Sequence, residues 1–149
     1  MTDTLQRPTT APLEEQPLLQ RLTPPLVIAG GLLAVSVALH VRDPHQQGAW
    51  GFCPWLVLTG TYCPGCGGLR AVNDLTNGDI RAAFASNALF VALVPAIAVM
   101  WTRSVVQRTR GRLTQMSSRW VTFYAATSLL LITVFWVVRN LPFAEFLRP

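Results

Sequence analysis

Three long uncharged runs constrain this chain more than anything else in it. The clearest is WVTFYAATSLLLITVFWVV, Trp120 to Val138, in which no charged side chain occurs. A second extends from Ala82 to Trp101 with Pro95 inside it, and a first from Leu26 to Val41. A helix crossing a bilayer core takes roughly 20 apolar residues, so lipid rather than water is the solvent these runs suit. An interior proline removes one backbone hydrogen bond and bends a helix, which membrane helices tolerate when neighbours compensate. Only 13% of the residues are charged, against roughly 25% in soluble domains. The expected fold is an all-α integral membrane protein with three transmembrane helices, over 26–41, 82–101 and 120–138.

Residues 1–25 are polar and proline-rich, the composition of a flexible tail, while 26–149 form one membrane domain. Pro24 and Pro25 suit the start of the first helix. Asp3, Glu14 and Glu15 fit poorly with the basic leader of a cleaved signal peptide, so the first span is read as uncleaved. Between the second and third runs lie Arg103, Arg108, Arg110, Arg112 and Arg119 with no acid. Between the first and second, Arg42, Arg70 and Arg81 are offset by Asp43, Asp74 and Asp79. The positive-inside rule counts basic residues. It places the 102–119 loop and the N-terminus in the cytoplasm, and the loop 42–81 outside. Trp101 and Trp120 bracket the basic loop as aromatic belt residues do. The net charge of +5 comes from arginine alone, since lysine is absent. That bias fits a GC-rich bacterial genome and an inner-membrane address. No nucleic-acid-binding motif accompanies the arginines, so the expected partners are the bilayer and another membrane protein.

The loop 42–81 is too long for a plain turn, and loops of that length usually carry function or structure of their own. Its segment GAWGFCPWLVLTGTY is apolar yet too short to span, which predicts an interfacial or re-entrant piece packed against the helices. A short amphipathic helix follows: Leu69, Val72 and Leu75 fall at helical spacing, and Arg70 with Asp74 forms an i, i+4 pair. Asn77-Gly78 ends it, and Asp79 is a good N-cap for the next helix. That next helix either runs straight into the second span or breaks near Asn87.

The chemistry in this loop belongs to its cysteines. In Cys63-Pro64-Gly65-Cys66, proline pre-sets the first central dihedral of a turn and glycine supplies a positive one at the second. Both sulfurs then sit near the start of a helix, whose amides favour a thiolate. Thiol–disulfide exchange is one consequence. However, no thioredoxin-like alternation of strands and helices surrounds the pair, and no second pair could relay electrons. An inert disulfide would fit an oxidising face and leave one of the three thiols over. Metal binding is the other consequence. Cys-x-x-Cys is half of a zinc site, Cys53 supplies a third thiolate, and His45 or His40 could complete a set of four. A full site shows two close-spaced ligand pairs, and this chain has one. Arg70 could hold a lipid phosphate or a partner's carboxylate, or simply pair with Asp74. No nucleophile–base pair, acidic dyad or cofactor motif is present. The function expected first is a non-enzymatic accessory or partner-binding membrane protein with no cofactor. Thiol–disulfide redox at Cys63 and Cys66 is the alternative, and metal binding the third.

The stretch CPWLVLTGTYCPGCGGLRA, followed by Asn77-Gly78-Asp79 and by Asn87 ahead of an apolar helix, resembles the bacterial membrane family called domain of unknown function 2752. The family pattern runs Cys-Pro, Thr-Gly, Cys-Pro-Gly-Cys-Gly, Arg-Ala, Gly-Asp and Asn-Pro-Leu. By resemblance, Cys53, Pro54, Thr59, Gly60, Cys63, Pro64, Gly65, Cys66, Gly67, Arg70, Ala71, Gly78, Asp79 and Asn87 carry over. Leu69 stands where the family often has threonine. Ala88 stands where it often has proline, which argues against a helix break at Asn87. The resemblance implies a membrane fold and brings no settled activity.

Overall fold

Each apolar run lies within a helix that outruns it at one end or both, in a computed structural model describing residues 16–46, 48–111 and 117–148. In chain order the elements are α1 (Leu18–Val41), α2 (Pro54–Thr59), α3 (Gly68–Thr76), α4 (Ile80–Thr109) and α5 (Ser118–Arg139), then a 3-10 turn at Pro142–Leu147. α1, α4 and α5 are each long and apolar enough to cross a membrane. Their outer faces fit that solvent: Leu32, Leu33, Leu129 and Leu130 are all exposed. The cysteine-bearing loop lies between the first and second of these helices.

Two helices extend beyond the apolar runs that mark them, and the alternative left open at Asn87 is decided. α1 begins at Leu18 and not at residue 26, with Pro24 and Pro25 inside the helix. The cost of those prolines is offset across the bundle. Pro25 has no N–H for the Arg21 carbonyl, and Arg108 Nη1 donates to that carbonyl at 3.4 Å. Trp101 Nε1 donates to the Pro25 carbonyl at 3.3 Å. These bonds tie the start of α1 to the end of α4. Secondly, α4 continues to Thr109, so Arg103 and Arg108 are helical rather than looped; arginine is a strong helix former. Asp3, Glu14, Glu15 and Arg112 lie outside the described residues.

Thirdly, α4 is broken at Asn87, whose φ of −159° and ψ of 94° are extended. Alanine at the next position does not prevent the break, because Asn87 caps the second segment itself. Its Oδ1 accepts from the Phe90 amide at 3.0 Å. Pro95 lies further along in helical backbone.

α3 is amphipathic, and its protein-facing side carries polar as well as apolar groups. Ala71, Asn73 and Asp74 are its buried residues, while Leu69 is exposed. In lipid the polar groups need protein partners and the leucine does not. Asn73 Nδ2 donates to the Leu39 carbonyl at 2.8 Å. Asp74 accepts from the Ser86 hydroxyl at 2.7 Å and lies 3.4 Å from His45 Nε2. The predicted Arg70–Asp74 pair does not form, because Asp74 turns inward to α4. Arg70 Nε donates instead to the Pro44 carbonyl at 3.4 Å. A small apolar cluster of Ala71, Ala83 and Val91, backed by Leu75 and Phe90, joins α3 to α4. Gly78, at φ +79°, ends α3. Asp79 then caps α4 through the Ala82 amide at 2.8 Å.

Candidate functional site

The turn through the Cys-x-x-Cys motif closes with the Cys66 amide donating to the Cys63 carbonyl at 3.1 Å. The positive dihedral falls at Gly67 (φ +81°) and not at Gly65 as predicted. The reason is local. The turn leads straight into right-handed α3, so the reversal is deferred to Gly67, the residue before the helix. The Ala71 amide then donates to the Gly67 carbonyl at 2.9 Å.

Cys53 reaches this turn from a separate segment. Pro54 opens α2 immediately after it, and Gly60 (φ +69°) ends that helix after six residues. Thr59 Oγ1 donates to the Trp55 carbonyl and shares a 2.8 Å hydrogen bond with Thr61 Oγ1. The Trp55 indole meets Trp136 of α5 edge-on at 5.5 Å. Pro54, Thr59 and Gly60 therefore build the loop that folds Cys53 back over Cys63 and Cys66.

The three sulfurs form a triangle. Sγ–Sγ distances are 2.9 Å for Cys63–Cys66, 3.4 Å for Cys66–Cys53 and 3.6 Å for Cys53–Cys63. No two of the three are joined as a disulfide. Thiolates on one tetrahedral ion at about 2.3 Å stand about 3.8 Å apart, so modest outward rotations would admit a metal. Neither histidine joins the group. His45 is engaged by Asp43 at 2.9 Å and by Asp74, and His40 by Thr76 at 3.1 Å.

The backbone of the turn is held from two helices. Asn87 Nδ2 donates to the carbonyls of Pro64 and Cys66 at 3.0 and 3.1 Å. Arg139 Nη1 donates to the carbonyls of Cys63 and Cys66 at 2.9 and 3.2 Å. Asn140 pairs with both backbone groups of Tyr62, at 2.8 and 2.9 Å. Such outer contacts decide how the sulfurs are presented.

The thiols are electrostatically unlike. The Leu56 amide in the first turn of α2 pulls Cys53 below the ordinary thiol value, against a smaller opposing effect of burial. Burial pushes Cys66 up to about 12, and hydrogen bonds with the other two thiols add to that shift.

Of the residues singled out from the sequence, Cys53, Cys63, Cys66, Pro64 and Asn87 come together here. Arg70 and Asp79 do not: one holds the Pro44 carbonyl and the other caps α4. Arg139 and Asn140 are functional neighbours that sequence reasoning missed. Their one signal is position, as the first polar residues after the third apolar run.

Residues 53–101 match the family described as Protein of unknown function (DUF2752). The match extends beyond the cysteine signature to the far part of α4. No curated protein and no solved structure matches the chain.

Proposed function

We propose that this chain, which over residues 53–101 belongs to that family, is a multi-pass membrane protein that binds a soft divalent metal ion, zinc foremost, on Cys53, Cys63 and Cys66. The observation that carries this reading is the convergence of three sulfurs from two separate segments to within 3.6 Å of one another. A redox pair needs only two. Burial pushes the Cys66 thiol up. A metal ion deprotonates a coordinating thiol outright, so that shift does not prevent binding. Zinc is the common tenant of thiolate sets. The protein then acts as a non-enzymatic binding component, with the bilayer and a membrane protein as partners.

The address proposed is the bacterial inner membrane, with the N-terminus cytoplasmic and the cysteine loop outside. Support for that orientation comes from Arg103, Arg108, Arg110, Arg112 and Arg119 between the second and third spans.

A second reading is favoured by one distance. The 2.9 Å separation of the Cys63 and Cys66 sulfurs suits exchange with a substrate disulfide, which would be reduced as these two thiols are oxidised. Zinc analysis of the full chain, purified reduced in mild detergent, separates the two. Metal binding requires about one equivalent of zinc, lost on Cys53→Ser. Exchange requires Cys63 and Cys66 and tolerates Cys53→Ser. Full reduction with no bound zinc would sink the metal reading.

A further inference from the structure

Arg139 ends α5 in a setting that solvates its charge without cancelling it. The side chain is wholly buried, at 0% exposure. Besides the carbonyls of Cys63 and Cys66, its guanidinium reaches the Leu147 carbonyl at 2.9 Å. It lies 4.9 Å from the centre of the Phe135 ring and 6.0 Å from that of Tyr62. Nε has no acceptor. Among the described residues no carboxylate pairs with it; the nearby Glu145 pairs with Arg148 at 3.7 Å. A buried cation held only by carbonyls and ring faces still needs an anion, and the edge of an apolar bundle is a costly place to lack one.

Negative charge can come from the sulfurs of Cys63 and Cys66, whose carbonyls Arg139 grips, and from Cys53 Sγ within 3.6 Å of both. Three neutral thiols would leave the guanidinium uncancelled, and so would a disulfide with one thiol. Three thiolates around a divalent ion carry one net negative charge, which a single arginine neutralises. A water molecule as fourth ligand would keep that balance. We propose that Arg139 is the positioning residue and counter-charge of the thiolate site, and that the pair is matched to a divalent cation held by all three cysteines. This inference rests on the metal reading above.

The test uses the full chain in detergent, titrated with cadmium. Sulfur-to-metal charge-transfer absorbance per bound ion reports how many thiolates coordinate. The wild type should bind one cadmium with a three-thiolate signature. Arg139→Gln keeps hydrogen-bonding capacity but removes the charge. It should weaken cadmium binding about 10–100-fold, the range for partners around a metal site, and should lower the absorbance per ion. Arg139→Lys should recover both. Equal losses in Gln and Lys, or none in either, would overturn the charge role while leaving the site standing. Should the Gln variant fail to give monodisperse protein, the Lys variant decides: a three-thiolate signature supports the inference, and its loss overturns it. Failure of reduced wild type to bind cadmium would instead remove the metal reading itself.

Discussion

The Asn87 side chain donates to the Cys66 carbonyl at 3.1 Å while its oxygen caps the second segment of α4. One side chain thus breaks α4 and holds the cysteine turn against the break. Asn87→Ala removes the cap and leaves Arg139 as the remaining side-chain donor to the carbonyls of Pro64 and Cys66. The expected cost is about 2–4 kcal/mol, combining a lost cap with lost buried hydrogen bonds. Asn87→Asp keeps the cap but loses the donor, and should fall between. Thermal unfolding in detergent measures both, and a neutral Asn87→Ala would contradict the assignment.

Asp74 depends on Ser86 and not on Arg70. The aspartate is 7% exposed and takes its shortest side-chain hydrogen bond from the serine hydroxyl. Ser86→Ala should destabilise the protein by about 1–3 kcal/mol, the cost of leaving a buried acceptor short of a partner. Arg70→Gln should cost well under that, about 0–1 kcal/mol, because the ion pair suggested by helical spacing is absent. The reverse ranking in unfolding midpoints would restore the Arg70–Asp74 pair.

Cys53 should react ahead of Cys66 in reduced, metal-free protein. A lowered pKa raises the thiolate fraction at any given pH, so Cys53 alkylates ahead of Cys66 as pH rises from acid. Cys66 is pushed up to about 12, so it stays a thiol through neutral and mildly alkaline solution and gains reactivity only as pH approaches that value. Its burial works in the same direction. Peptide mapping after brief iodoacetamide treatment across a pH series reads the order directly. Labelling of Cys66 ahead of Cys53 near neutral pH would be incompatible with these environments.

Much of this architecture can be read along the chain. Hydropathy is a sum over neighbours, and the thickness of a bilayer is a length. The uncharged run from Trp120 to Val138 therefore announces α5 without reference to anything distant. The cap at Asp79 and the stop at Gly78 are equally local, since each acts within one helical turn. The Cys63–Cys66 turn closes over three residues, and its sulfurs were bound to be close. Even there a detail escaped: the positive dihedral sits at Gly67, because the entry into α3 dictates where the chain reverses.

Tertiary structure decided the rest, through partners that sequence distance conceals. α1 starts at Leu18 with two prolines inside it, and Arg108 donates to the Arg21 carbonyl where Pro25 has no N–H. α3 presents Asn73 and Asp74 to the protein because lipid cannot hydrogen-bond to them and Leu39 and Ser86 can. Arg139, 76 residues beyond Cys63, reads in sequence as the polar end of a span. Only folding brings its charge against the carbonyls of the Cys63–Cys66 turn, because a buried guanidinium must find acceptors wherever the packed chain offers them.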